Sequence, residues 1–151
     1  MTPEHLEWVR KHFAELVLAS GFDQFLGMKA VEITEGKVVL SMKIAEKHGN
    51  IYGSVHGGIL ASVADIVMGI PCMTLGKRIV TIDMSVSFIK NAPTGSTITA
   101  VGRIISKGNR VIRSVGEIYN GEELLVRAQA SYFVTGDFTE DDYPEPALSK
   151  K

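Results

Sequence analysis

The sequence predicts an α+β domain in which an antiparallel sheet curls around one long central helix, with a further helix at the N-terminus. Three observations carry this. Residues 57–75 are apolar nearly all the way round and too long for a strand, which reads as a helix buried on most sides. The second half of the chain alternates apolar and polar residues with period two, the pattern of half-buried antiparallel strands. Glycine-bearing turn signals separate the strand-like runs at Glu35-Gly36, Lys107-Gly108-Asn109 and Asn120-Gly121. A helix with so little polar surface needs cover on several sides, and a curled sheet supplies it.

Taken in order, Thr2-Pro3 reads as an N-cap followed by proline at the first helical position. Leu6, Val9, Phe13, Leu16 and Val17 then recur at helical spacing, so an amphipathic helix is expected to end near Gly21. The runs "GMKAVEIT" and "KVVLSMKIAE" are expected to pair as a hairpin around Glu35-Gly36. A loop over residues 47–56 leads into the central helix, in which Pro71 is expected to kink or shorten the last turns. In "IVTIDMSVSFIK", Val80, Ile82, Met84, Val86 and Phe88 are expected to share one face, opposite Thr81, Asp83, Ser85 and Ser87. In "ELLVRAQASYFVT", Val126, Ala128, Ala130, Tyr132 and Val134 oppose Arg127, Gln129 and Ser131. With "STITAVGRIIS" after the break at Pro93–Gly95, the four later strands are expected in meander order.

Composition narrows the function. The 151 residues, 45% hydrophobic and 22% charged, fit one globular domain, expected over 1–136, with the acidic, proline-bearing stretch 137–151 as a loose tail. No apolar run approaches the ~20 residues of a membrane span, and the first twenty residues lack the order of a signal peptide, so a cytoplasmic protein without membrane partners is expected. The single cysteine, Cys72, forms no intrachain disulfide and is expected in the core; no Cys/His cluster suggests a metal site. His5 and His12 fall in the first helix and His48 in a polar loop, without evident partners. Between residues 77 and 116, Lys77, Arg78, Lys90, Arg103, Lys107, Arg110 and Arg113 face only Asp83, an excess suited to a phosphate-bearing small ligand. A near-neutral total and the lack of interleaved aromatics disfavour nucleic acid.

One stretch concentrates the chemistry. In "GNIYGSVHGGILASVADIVMG", residues 49–69, Asp65 is the one formally charged side chain between Gly57 and Gly76. A carboxylate in an apolar helix needs a partner or a cavity. The His56-Gly57-Gly58 helix start offers backbone N–H groups without intrahelical partners, the material of an oxyanion hole. Eight residues of helix separate Gly57 from Asp65, about 12 Å at the standard rise and far beyond the reach of a base acting on a carbonyl held at Gly57. If both groups serve one reaction, the site lies between two subunits related by a two-fold axis.

The order N-x-x-G-x-x-H-G-G followed by "LASVAD", then "VTIDMSVSFIKNAPTG" and a strand ending "VRAQASYFV", closely resembles the hotdog-fold acyl-CoA thioesterases of the phenylacetic-acid-degradation (PaaI-like) branch, over residues 22–136. The resemblance implies a hotdog fold, hydrolysis of an acyl-CoA or aryl-CoA thioester to free coenzyme A and a carboxylic acid, and no cofactor beyond the coenzyme A of the substrate. It implies a homodimer at minimum and commonly a homotetramer built as a dimer of dimers. It makes Asp65 the general base or nucleophile, the Gly57 N–H of the partner subunit the oxyanion donor, His56 the residue that helps orient this loop and polarise the carbonyl, and Asn50 the residue that positions water or carboxylate. Thr81 falls where the family places a hydroxyl near the acid. Lys90, Arg103, Lys107 and Arg110 become candidate contacts for coenzyme A phosphates. Two alternatives share the architecture: an acyl-thioester hydratase or dehydratase working with a histidine and an acid, and a non-catalytic acyl-CoA binder, which gives no reason to bury an acid.

Overall fold

The computed structural model describes residues 2–17 and 20–139. Helix α1 (Pro3–Val17) and a short α2 (Gly21–Leu26) precede the hairpin of β1 (Lys29–Thr34) and β2 (Lys37–Lys43). A 3-10 turn (Glu46–His48) leads to the central helix α3 (Gly57–Thr74), followed by β3 (Lys77–Phe88), β4 (Thr97–Lys107), β5 (Val111–Asn120) and β6 (Glu123–Asp137). The strands form one six-stranded sheet in the order β1-β2-β4-β5-β6-β3, antiparallel at every pairing. Helix α3 packs on its inner face, and the expected α+β class is the one observed.

The order corrects the expected four-strand meander. β4, β5 and β6 do form one, because their connections are tight; Gly121 adopts a φ of 61° that favours glycine. The connection from β3 to β4, eight residues with Pro93 among them, instead crosses the sheet, and β3 lies beyond β6 as an edge strand. Helix α2 is an element the sequence reading lacked: Ser20 caps it, its Oγ accepting from Asp23 N at 3.1 Å. Strand β6 runs to Asp137, the first residue of the expected tail, whose carboxylate pairs with Lys77 Nζ at 2.8 Å. Phe138 N donates to Gly76 O at 2.8 Å and the Phe138 ring lies 5.9 Å from that of Trp8; residues 140–151 lie outside the described residues.

The inner face of the sheet is read off β6, where Val126, Ala128, Ala130 and Tyr132 are buried as the alternation predicts. From the helix, Leu60, Val63, Ala64, Val67, Met68 and Cys72 meet it. Helix α3 continues through Pro71 to Thr74, so the expected shortening is absent. Pro71 has no N–H to give the carbonyl of Val67, four residues back. Strand β4 packs directly against that carbonyl: a Cβ on Gly102 would stand 1.8 Å from Val67 O. Only glycine allows backbone to lie on backbone this closely.

Strand β3 departs most from its sequence pattern. Its register with β6 shifts between Thr81 and Asp83, a β-bulge that places one extra residue, Ile82, on β3. On one side of the bulge Thr81 is opposite Tyr132 and Ile79 opposite Val134; on the other, Met84, Val86 and Phe88 are opposite Ala130, Ala128 and Val126. Thr81 therefore shares the helix side with Met84, Val86 and Phe88, whereas the sequence reading set it opposite them. Val80, expected on the inner face, pairs with outward Phe133. Val80, Ile82 and Phe88 are each about half exposed (53%, 51% and 54%), because β3 is bonded along one side only.

The packing of β4 on α3 generates a stability prediction. Gly102→Ala is expected to destabilise the protein by about 3 kcal/mol or more, since the added carbon meets backbone that cannot move aside. Gly116→Ala is expected to cost about 1 kcal/mol, because its Cβ would meet the flexible Met68 side chain at 2.8 Å. Urea unfolding of the two variants beside the parent measures both.

Candidate active site

Asp65 lies midway along α3 on the flank that faces β3 and β6, half-buried rather than enclosed. Its Oδ1 accepts from Thr81 Oγ1 at 3.0 Å and lies 3.1 Å from Tyr132 Oη, which is also 2.9 Å from the Asp65 main-chain O. Among the described residues no hydrogen bond is made to Oδ2. The bulge in β3 is what turns Thr81 toward the helix; without it, the side chain would point to the outer face. Burial, and then the neighbouring Asp65 carboxylate, hold the Tyr132 hydroxyl well above the usual phenol range, so it remains a donor at any working pH.

The carboxylate opens onto a cavity of about 400 Å³. Its walls are mostly apolar, with Phe13 of α1, Ile66, Ile70 and Met73 of α3, Ile79 of β3 and Phe138 after β6. Asp23, Lys77 and Arg78 add charge to the lining. A mostly apolar pocket with the Asp65 carboxylate at its wall suits an apolar group whose reactive end is held at Asp65.

The other sequence candidates lie at the start of α3. His56 is the N-cap, with Nδ1 accepting from Gly58 N at 2.9 Å. That bond occupies the Gly58 N–H, while among the described residues nothing accepts from the Gly57 N–H, which stands exposed at the positive end of α3. Asn50 closes the preceding turn, its Oδ1 accepting from Tyr52 N at 2.9 Å and Ser54 N at 3.2 Å. Asn50, Gly57, Phe88 and Lys90 line a recess of about 260 Å³, and Lys90 also pairs with Glu123. Asp65 is not among the residues of this recess, so one chain holds the carboxylate and the N–H donor in two places, as the helical separation requires.

The remaining cations are dispersed. Arg103 lies on the outer face of the sheet, in a groove with Arg127 and Glu117, while Lys107 ends β4 and Arg110 precedes β5 at the intervening turn. The protomer does not gather them with Lys90. The histidines set aside for want of partners have them. His48 is 2% exposed, with Nδ1 accepting from Ala45 N at 2.9 Å and Nε2 at 2.6 Å from Phe25 O. His5 Nε2 lies 2.9 Å from Met73 O, and His12 pairs with Glu15 at 3.2 Å. His5 and His48 tie elements together and His12 pairs within α1; none of the three bonds to Asp65. Tyr132 is the site residue that sequence reasoning missed: on an alternating strand it reads as core, and its partner is 67 residues away.

A sheet wrapped around a long helix in this strand order is the hotdog fold, shared with the structure of the Escherichia coli PaaI protein from the phenylacetic acid degradation operon at a TM-score of 0.82, 21% identity, and coverage of 89% of this chain and 98% of that one. The sequence profile of the thioesterase superfamily matches residues 52–127, about half of the chain, and the chain belongs to that superfamily of thioester hydrolases. Acyl-coenzyme A thioesterase 13 of Homo sapiens is 29% identical over 103 residues, 66% of this chain and 74% of the relative. The crystal structure of a hypothetical thioesterase with coenzyme A from Streptococcus pneumoniae TIGR4 matches at a TM-score of 0.72 and 26% identity, covering 74% of this chain and 91% of that one.

Cys72 plays no part in this site. It is fully buried in α3, and burial pushes its thiol up to about 12, far from the thiolate form a nucleophile needs. A colorimetric disulfide reagent at pH 8 is therefore expected to leave the native protein untouched and to titrate its one thiol only in guanidinium. A thiol that reacts in the native state would contradict this placement.

Proposed function

We propose that the chain hydrolyses acyl-CoA thioesters at a site completed by a second copy of itself. The observation that carries the reading is the half-buried Asp65 carboxylate, held through one oxygen and open at the other, beside an apolar cavity in a thioesterase-superfamily chain. The acyl group occupies the cavity, and the thioester carbonyl lies against Asp65. There Asp65 either takes a proton from the attacking water or attacks the carbonyl itself. The thiolate of coenzyme A is a good enough leaving group to need no strong acid, so a positioned carboxylate and an oxyanion donor suffice.

The donor comes from the second copy. Strand β3 presents an unpaired edge with an apolar row, the kind of edge that seeks another strand. A second β3 laid antiparallel on it, with the two-fold axis between Met84 and Ser85, brings Thr81 of one copy opposite Phe88 of the other. Thr81 bonds Asp65, and a Cβ at Gly57 would lie 3.8 Å from Phe88, so this one register carries the Gly57 N–H of one copy toward Asp65 of the other. The recess at Gly57 then continues the cavity outward, with Asn50 at its wall and Lys90 placed for a phosphate of the coenzyme. The streptococcal relative crystallised with coenzyme A supports this choice of carrier.

The test is thiol release from a panel of aliphatic and aromatic CoA thioesters. The parent is expected to turn over at least one member, and Asp65→Ala to lose that activity by about 10³-fold or more. Gly57→Pro removes the N–H at the first helical position, where proline is tolerated after the extended His56, and is expected to lower kcat about 10²- to 10³-fold with an unchanged circular dichroism spectrum. Silence of the parent across the panel, or full activity in Asp65→Ala, would overturn the reading.

A further inference from the structure

Tyr132 stands in a relation to Asp65 that packing alone does not require. It is directly opposite Thr81 in the β3–β6 ladder, and both side chains point to the helix just where the bulge begins. The two hydroxyls converge on the same carboxylate oxygen, Asp65 Oδ1, at 3.1 and 3.0 Å. Tyr132 Oη also lies 2.9 Å from the main-chain O of Asp65, so its one hydroxyl proton is shared between the backbone and side-chain oxygens of a single residue. The ring is 1% exposed and fills the space beside Gly69, one helical turn beyond Asp65, where a Cβ would come within 3.5 Å of it. A carboxylate with one donor can swing about χ2, whereas two donors from adjacent strands fix its plane.

Resting on the thioesterase reading, we infer that Tyr132 is a positioning residue which, together with Thr81, locks Asp65 Oδ1 so that Oδ2 is the oxygen presented to water or thioester. Its ring lines the cavity, while its hydroxyl is spent on Asp65 and not on the reacting atoms. Removing its hydroxyl leaves the pocket walls in place but lets the reacting oxygen wander, and misplacement of that order affects turnover far more than binding.

The ionisable groups around Asp65 are Asp23 of α2, Lys77 and Arg78 of β3, Cys72 of α3 and Tyr132 of β6, with His5 of α1 bonded further along at Met73 O. Of these, Tyr132 donates to the carboxylate.

The experiment is steady-state thiol release by Tyr132→Phe beside the parent and Asp65→Ala, over a range of substrate concentrations, with a thermal melt of each. The expected result is a kcat about ten-fold lower or more with a KM within two-fold of the parent. A kcat and KM matching the parent, with only the melting temperature lowered, would overturn the assignment and leave Tyr132 a packing residue. If Tyr132→Phe does not fold, Thr81→Val removes the other donor to Oδ1: a lowered kcat at an unchanged KM supports the lock, and kinetics matching the parent overturn it. Parent activity that disappears in Asp65→Ala and survives in Tyr132→Phe removes only the role of Tyr132, whereas an inactive parent removes the thioesterase reading and this inference with it.

Discussion

The twelve-residue strand β3 pairs with β6 along one side, and among the described residues no strand pairs with the other. An edge of that length, carrying exposed Val80, Ile82 and Phe88, leaves backbone donors and acceptors beside apolar side chains, and protein chains rarely leave such an edge uncovered. The rest of the architecture follows from where this edge lies. Strand β3 is the element that touches both halves of the chemistry, Asp65 through Thr81 and the start of α3 through Phe88. Covering the edge with a second copy is at once a solution to unpaired backbone and a way to join two half-sites.

The helix explains why the proposed reaction calls for two copies. Helix α3 holds the proposed oxyanion donor at its first residue and the carboxylate two turns later, a rigid separation of about 12 Å that no side-chain motion closes. The sheet holds the helix in place by close backbone contact at Gly102 and by the Tyr132 ring against Gly69. The bulge in β3 then supplies what regular alternation would not, a hydroxyl turned inward at the level of Asp65. On the proposed reading, each protomer is preorganised at two places and complete at neither.

Much of this was legible in the sequence where the signal is local. The apolar run from Gly57 marks the central helix, period two marks β6 with its inner residues, and glycine turns mark the two hairpins that make β4, β5 and β6 adjacent. The carboxylate and the glycine helix start were visible because a lone charge in an apolar helix is conspicuous. What escaped depends on contacts between residues far apart in the chain. The position of β3 beyond β6 is decided by long-range pairing after a connection long enough to cross, and the bulge at Ile82 has no composition signal of its own. Once the bulge is missed, Thr81 falls on the wrong face and Tyr132 loses its reason to be more than core. Gly102 shows the same limit: in a strand it reads as a weakness, and only the Val67 carbonyl, freed by Pro71, explains it.

The central claim is that Asp65 of one copy works with Gly57 of another, and a hybrid dimer tests it most directly. Asp65→Ala and Gly57→Pro subunits, each inactive alone, are co-expressed with different affinity tags and the mixed dimer is isolated. One of its two sites then combines an intact Asp65 with an intact Gly57 from the other chain, so about half of the parent's activity per dimer is predicted. If both groups served a reaction within one chain, each subunit would carry its own defect, and a hybrid as inactive as its parents would contradict the account.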